Sequence, residues 1–131
     1  MEITASNEQG RVPVRVLHIT GDVDTSSFEQ LQKQAREEID AGARYLVLDL
    51  EKVHYVSSYG IRAISQIFSW LRQAAGDEGD KSAQGASVGT YFSPNLKLAG
   101  ASPMVNKVLT DTGLDLYMQI CDNVEQAVAA F

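Results

Sequence analysis

The chain has 131 residues, 44% hydrophobic and 21% charged, a balance that excludes wholesale disorder and a continuous coiled coil. Eleven Lys and Arg against seventeen Asp and Glu leave a formal charge of −6, which speaks against a nucleic-acid scaffold, whose affinity rests on cations meeting phosphates. Its one cysteine, Cys121, permits neither an internal disulfide nor a cysteine zinc cluster, and no apolar run approaches the ~18 residues of a membrane span. Met1-Glu2-Ile3-Thr4 lacks the basic and apolar regions of a signal peptide, so a single cytoplasmic domain over residues 1–131 is expected.

Glu2 to Ala5 reads as a short strand, with turn chemistry at Asn7-Glu8-Gln9-Gly10. From Arg11 the pattern alternates, Val12, Val14 and Val16 against Arg11, Pro13 and Arg15. Pro13 cannot donate to a ladder, so this second strand lies at an edge or starts after it. Gly21-Asp22-Val23-Asp24 ends it, and Thr25 or Ser26 begins a helix, Ser26 and Glu29 having capping-box spacing. Phe28, Leu31, Ala35 and Ile39 form that helix's apolar stripe, and Gly42 supplies its stop.

Tyr45 to Leu50 is nearly continuously apolar, as in a strand covered on both faces. Val53-His54-Tyr55-Val56 leads into Ser57-Ser58-Tyr59-Gly60, where Ser57 or Ser58 caps a helix carrying Ile61, Ile64, Phe68 and Leu71 at helical spacing. Residues at about 75–93 read as a flexible, glycine-rich surface excursion. Asn95 to Ala99 predicts a strand, Ser102-Pro103 the cap and first position of a helix ending at Gly113, and Leu116 to Ile120 a last strand. Asp122 and Glu125 have capping-box-like spacing before a terminal helix. The order ββαβαβαβα predicts an α/β domain with a mixed, mainly parallel sheet of about five strands and about four helices. Functional loops then gather at the carboxyl ends of the strands: Asp22 and Asp24, then Ser57, Ser58 and Tyr59, then Ala99 to Ser102.

At the start of a helix, Ser57, Ser58 or Tyr59 would present a phosphate to backbone N–H groups, where negative charge is tolerated. Phosphorylation there adds about −1.5 to −2 charge to a docking surface, and Asp22 and Asp24 would amplify the repulsion. The plainer reading is that a serine only caps the helix. Catalysis is not expected. His18 sits inside an apolar strand, where a satisfied core or edge histidine is the simpler account, and Asp49 reads as a strand-end hydrogen-bond acceptor. His54 precedes the serines by three positions without a nucleophile elbow, so a hydrolase requires that His54 touch Ser57 or Ser58. No dinucleotide fingerprint, phosphate loop or metal-ligand spacing is present, and no cofactor or metal is expected.

Gly21-Asp22-Val23-Asp24, Val47-Leu48-Asp49-Leu50, Val56-Ser57-Ser58-Tyr59-Gly60-Ile61 and Leu98-Ala99-Gly100-Ala101-Ser102-Pro103, in this order, resemble the STAS domains, the anti-sigma factor antagonist family. The resemblance spans nearly the whole chain except roughly residues 75 to 93. It implies a non-enzymatic module of a partner-switching system. In that family Asp-Ser-Ser-Gly opens the second helix, and a partner kinase that is also the anti-sigma factor phosphorylates the second serine. Aligned on Gly60, Ser57 stands at the family's Asp, Ser58 at its first Ser and Tyr59 at the phospho-acceptor, while Asp24 matches the acidic residue nearby.

Three meanings of this departure stand open: Ser58 takes the phosphate, Tyr59 takes it, or the chain binds its partner constitutively with Tyr59 as an aromatic anchor. The docking surface implied comprises Asp22, Asp24, Thr25, Ser26, Ser57, Ser58, Tyr59, Gly60, Ile61, Arg62 and Ser65. The expected partner is a kinase or anti-sigma factor, with no nucleic acid and no membrane insertion; a homodimer stays open. One alternative within the fold is the STAS subunit of an ABC-type transport system, docked on its ATPase. Another class is a small-molecule sensor with a pocket between the glycine-rich excursion and the Asp22/Asp24 edge.

Overall fold

The computed structural model describes residues 1–76 and 93–131. It opens with a hairpin, β1 (Glu2–Gln9) antiparallel to β2 (Pro13–Thr20). β1 thus runs through Asn7-Glu8-Gln9, expected as turn, because these residues pair with Arg15, Val14 and Pro13. The chain then reverses within three residues. Pro13 is tolerated as the first residue of its strand. β2 lies inside the sheet, between β1 and β3, and β1 is the outer strand on that side.

From β2 the chain alternates: α1 (Phe28–Asp40), β3 (Leu46–Lys52), α2 (Ser58–Ala74), β4 (Leu96–Ala99), α3 (Pro103–Asp111), a 3-10 turn (Leu114–Leu116), β5 (Gln119–Cys121) and α4 (Val124–Ala129). The strands lie side by side in the order β1-β2-β3-β4-β5, parallel from β2 to β5. This is the expected class; the described residues form five strands and four α-helices in ββαβαβαβα order. The excursion at about 75–93 lies almost entirely outside the described residues.

Alternation along the strands sorts the side chains onto two faces. Leu17, Ile19, Leu46, Leu48, Leu50, Leu96 and Leu98 meet Leu31, Ala35 and Ile39 of α1, Ala63, Ile64, Ile67 and Leu71 of α2, and Val105 and Leu109 of α3. The other face is smaller: Val14, Val16, Val47, Ala99 and Cys121 beneath Ala127 and Val128 of α4. Lys97 belongs to this second face, buried, its Nζ donating to Gln119 Oε1 at 3.1 Å and lying 4.7 Å from the Phe131 ring centroid. Burial pushes its pKa down and pushes the Cys121 thiol up.

The caps differ from expectation in two helices. α1 begins at Phe28 with Ser27 as N-cap, so Thr25 and Ser26 stand before it in a turn. α4 is capped by Asn123, whose Oδ1 accepts from the Gln126 N–H at 2.8 Å, not by Asp122. Ser57 and Ser102 cap α2 and α3 as their positions predict. The expected strand from Leu116 to Ile120 is shorter and later, because Leu114–Leu116 closes a 3-10 turn first, left-handed Gly113 (φ 80°) preceding it.

Candidate functional site

Two loops at the carboxyl edge are tied by backbone. After β2, Gly21 takes φ 107°, turning the chain so that Val23 comes beside Val56 in an isolated parallel bridge. The Val23 N–H donates to the Tyr55 carbonyl and the Ser57 N–H to the Val23 carbonyl, each at 2.9 Å. Gly60 makes this approach possible: a Cβ there would stand 2.7 Å from the Val23 carbonyl oxygen. Asp22, Thr25 and Ser26 are therefore exposed beside exposed Ser58 and Tyr59, with Asp24 and Ser57 half-buried between them. Gly60 itself is buried and offers no surface; it belongs to the joint that makes the site.

The turn before α1 is organised by its own side chains. Asp24 Oδ1 accepts from the Ser26 hydroxyl at 2.6 Å and the Ser26 N–H at 2.9 Å. These hydrogen bonds, the hydroxyl's foremost, hold the Asp24 carboxyl below its usual range. Ser27 Oγ donates to the Asp22 carbonyl at 2.6 Å and accepts from the Asp24 N–H at 3.0 Å. Buried Ser27 thus locks the turn, a role the spacing of Ser26 and Glu29 concealed.

At the head of α2, Ser57 Oγ accepts from the N–H groups of Tyr59 and Gly60 at 3.2 and 3.4 Å, so its oxygen is committed to the cap. Ser58 is exposed in the first helical turn. Tyr59 is 41% exposed, its ring 5.4 Å from that of Phe28 at 39° and 5.7 Å from the Arg62 guanidinium carbon. Ile61 is half-buried against the main core, while Arg62 and Ser65 face solvent. Phe28, absent from the sequence-derived site, is what orients Tyr59; its place at the head of an apolar stripe gave it only a core role.

The third loop leaves β4 at the same edge, but Gly100 (φ 73°) abuts Glu51 at the end of β3, a Cβ there coming 3.3 Å from it. Among the described residues no hydrogen bond joins His54 to Ser57 or Ser58, and Ser57 is occupied by the cap, so the geometry a hydrolase required is not met. No group of three or more His, Cys, Asp or Glu side chains there is arranged to hold a metal. No helix there is long and apolar enough to cross a membrane. A cavity of about 640 Å³ lies at the amino ends of β2 and β3, lined by residues including Asn7, Pro13, Arg15, Glu38 and Tyr45. The pocket of the sensor reading, between the glycine-rich excursion and the Asp22/Asp24 edge, falls largely on residues outside the described ones.

The architecture defines a small α/β domain whose first two β-to-α loops are joined at the carboxyl edge of its sheet. The STAS domain family model matches residues 5–77, more than half the chain, and the protein belongs to this family. It is 28% identical over 113 residues to BtrV of Bordetella bronchiseptica, a protein named as a candidate anti-sigma factor antagonist, covering 86% of this chain and 82% of that one. An anti-sigma factor antagonist from Mycobacterium paratuberculosis has a similar fold, with a TM-score of 0.71 at 19% identity over 98% of this chain and 93% of that chain. So does the Bacillus cell fate determinant SpoIIAA in its phosphorylated form, with a TM-score of 0.60 at 19% identity over 95% of this chain and 96% of the other.

Proposed function

We propose that the protein is a cytoplasmic, anti-sigma factor antagonist-like module that binds a kinase or anti-sigma factor in a partner-switching system. Its docking surface comprises Asp22, Asp24, Thr25 and Ser26 with Ser57, Ser58, Tyr59, Arg62 and Ser65, while Gly60 and Ile61 hold that surface together from beneath. The observation that carries the reading is the Val23–Val56 bridge, which makes one surface of two loops that the family resemblance assigns to partner binding. The name of the Bordetella relative supports the same class. Anti-sigma factor antagonists are as a family generally non-enzymatic, and the binding role needs no bond-making here.

Tyr59 occupies the position of the family's phospho-acceptor. Braced by Phe28 and faced by Arg62, its ring suits a constitutive aromatic anchor, a residue type enriched where binding energy concentrates. Ser58, exposed one position earlier, is the remaining acceptor in this reading. The test is a calorimetric titration of a purified partner kinase with wild type and with Tyr59→Asp. Affinity should fall at least tenfold while the circular-dichroism melt stays intact; equal affinity overturns the placement. Intact-mass analysis after incubation with that kinase and ATP separates the modes: an unmodified chain supports the constitutive anchor, and phosphate on Ser58 or Tyr59 overturns it.

A further inference from the structure

The second face of the sheet, away from α1 and α2, carries a hydrogen-bonded chain across its first three strands. His18 Nδ1 lies 2.7 Å from Asp49 Oδ2, and His18 Nε2 lies 2.8 Å from Ser6 Oγ. A carboxylate only accepts, so Nδ1 carries the proton and, in the neutral ring, Nε2 accepts from the serine hydroxyl. Asp49 is itself fixed, its Oδ1 accepting from the Glu51 N–H at 3.1 Å. The pairing is built into the ladder: His18 stands directly opposite Asp49, and the register shifts just beyond, between His18 and Thr20. A shift there re-aims the end of β3 without disturbing the chain.

These are the relations of an activated nucleophile: hydroxyl to base, base to an orienting carboxylate. The histidine is accessible, its side chain 38% exposed against 14% for Asp49, and Thr4 and Thr20 on the same face are exposed. α4 covers Val14, Val16 and Cys121 but not this corner. A simple staple between strands would equally use any hydroxyl–imidazole pair; the orienting acid on the far nitrogen is what fixes the tautomer that lets Nε2 take a proton.

We propose that Ser6 is a covalent acceptor site for activated acyl groups, with His18 as its base and Asp49 as a positioning residue. Ser6 Oγ attacks the carbonyl carbon of a donor R–CO–X, and its proton passes to His18 Nε2. The C–X bond breaks, X leaves with that proton, and R–CO–O–Ser6 remains, with His18 neutral again. Attack on a stable amide needs preorganised donors for the developing oxyanion. The donor is therefore of the activated class, an acyl phosphate, thioester or aryl ester, and the site is stoichiometric, not a turnover centre. It lies on the face opposite the docking helices and does not depend on the partner-switching reading.

Incubating the full chain with p-nitrophenyl acetate, followed by peptide mapping, reads the site directly. One acetyl group should appear on Ser6 at a rate at least tenfold above that on exposed Ser58, which has no base beside it among the described residues. His18→Gln should abolish the preference and Asp49→Asn reduce it at least fivefold, with folding of each variant checked by near-ultraviolet circular dichroism. Ser6→Ala should release nitrophenolate no faster than His18→Gln. An unmodified Ser6, or acetylation of Ser6 at the same rate in folded His18→Gln, overturns the proposal.

Discussion

At the scale of single residues, Gly60 and Asp24 shape the two loops of the proposed docking edge. Gly60 sits where any Cβ would meet the Val23 carbonyl oxygen and the Val56 side chain, each at 2.7 Å. Neither neighbour yields cheaply, because one is backbone and the other is buried. Gly60→Ala should destabilise the fold by about 1–3 kcal/mol, the usual cost of forced overpacking, and should loosen the Val23–Val56 bridge. Urea unfolding checks the first effect; hydrogen exchange at the Ser57 amide checks the second, since that N–H donates across the joint. Asp24 acts differently. The hydrogen bonds from Ser26 favour its charged form, so its folded-state pKa lies below its unfolded one. The stability they add is present above the unfolded carboxylate range and is lost as pH falls through the lower folded value. In urea titrations the gap between wild type and Asp24→Ala should therefore be open at pH 6 and narrow below about pH 3. A gap independent of pH would remove the charge from the account of this turn.

At the scale of elements, the shortest described α-helix is the one most dependent on its cap. α4 spans Val124–Ala129, too short to be stable alone, yet it covers the second face through Ala127 and Val128. Asn123→Ala removes the acceptor for the Gln126 N–H and should cost about 1 kcal/mol. The loss should appear as a lower melting temperature and as faster exchange confined to α4. That cap is also ambiguous in the sequence: Asp122 and Asn123 are both good caps, and only the backbone's arrival from β5 chooses between them. The same ambiguity moved the start of α1 from Thr25 or Ser26 to Phe28, since three hydroxyl residues in a row offer equivalent signals. Helical stripes, glycine stops and the order of strands were legible because each rests on local periodicity or on a φ requirement. The extension of β1 to Gln9 was not, because Asn7 and Glu8 enter the strand only through pairing with β2. The Ser6–His18–Asp49 chain was hidden for the same reason: it is a property of register, and His18 alone reads as a satisfied histidine.

At the scale of the whole molecule, charge and topology act together. Parallel order from β2 to β5 puts every β-to-α loop at one end, so the proposed docking edge and the 640 Å³ cavity at the amino ends stand at opposite poles of the sheet. The chain carries a formal charge of −6, and Asp22, Asp24 and Glu29 lie at or near the proposed docking edge. In the proposed mode a partner that docks there meets these carboxylates together with Arg62, drawn over the Tyr59 ring. For a partner with a basic docking face the attraction acts on encounter more than on the final contacts, and it is screened within about 8 Å at physiological salt. The association rate should accordingly fall roughly tenfold between 50 and 500 mM NaCl, while the dissociation rate changes by less than about threefold. Stopped-flow binding with the partner kinase measures both. Tyr59→Asp should invert the split, because it removes an apolar anchor at short range and adds charge of the sign already present: dissociation should speed up strongly and the salt dependence of association should persist. If salt acted instead on dissociation alone, the interface would rest on close ion pairs, and the aromatic anchor would lose its place as the main source of affinity.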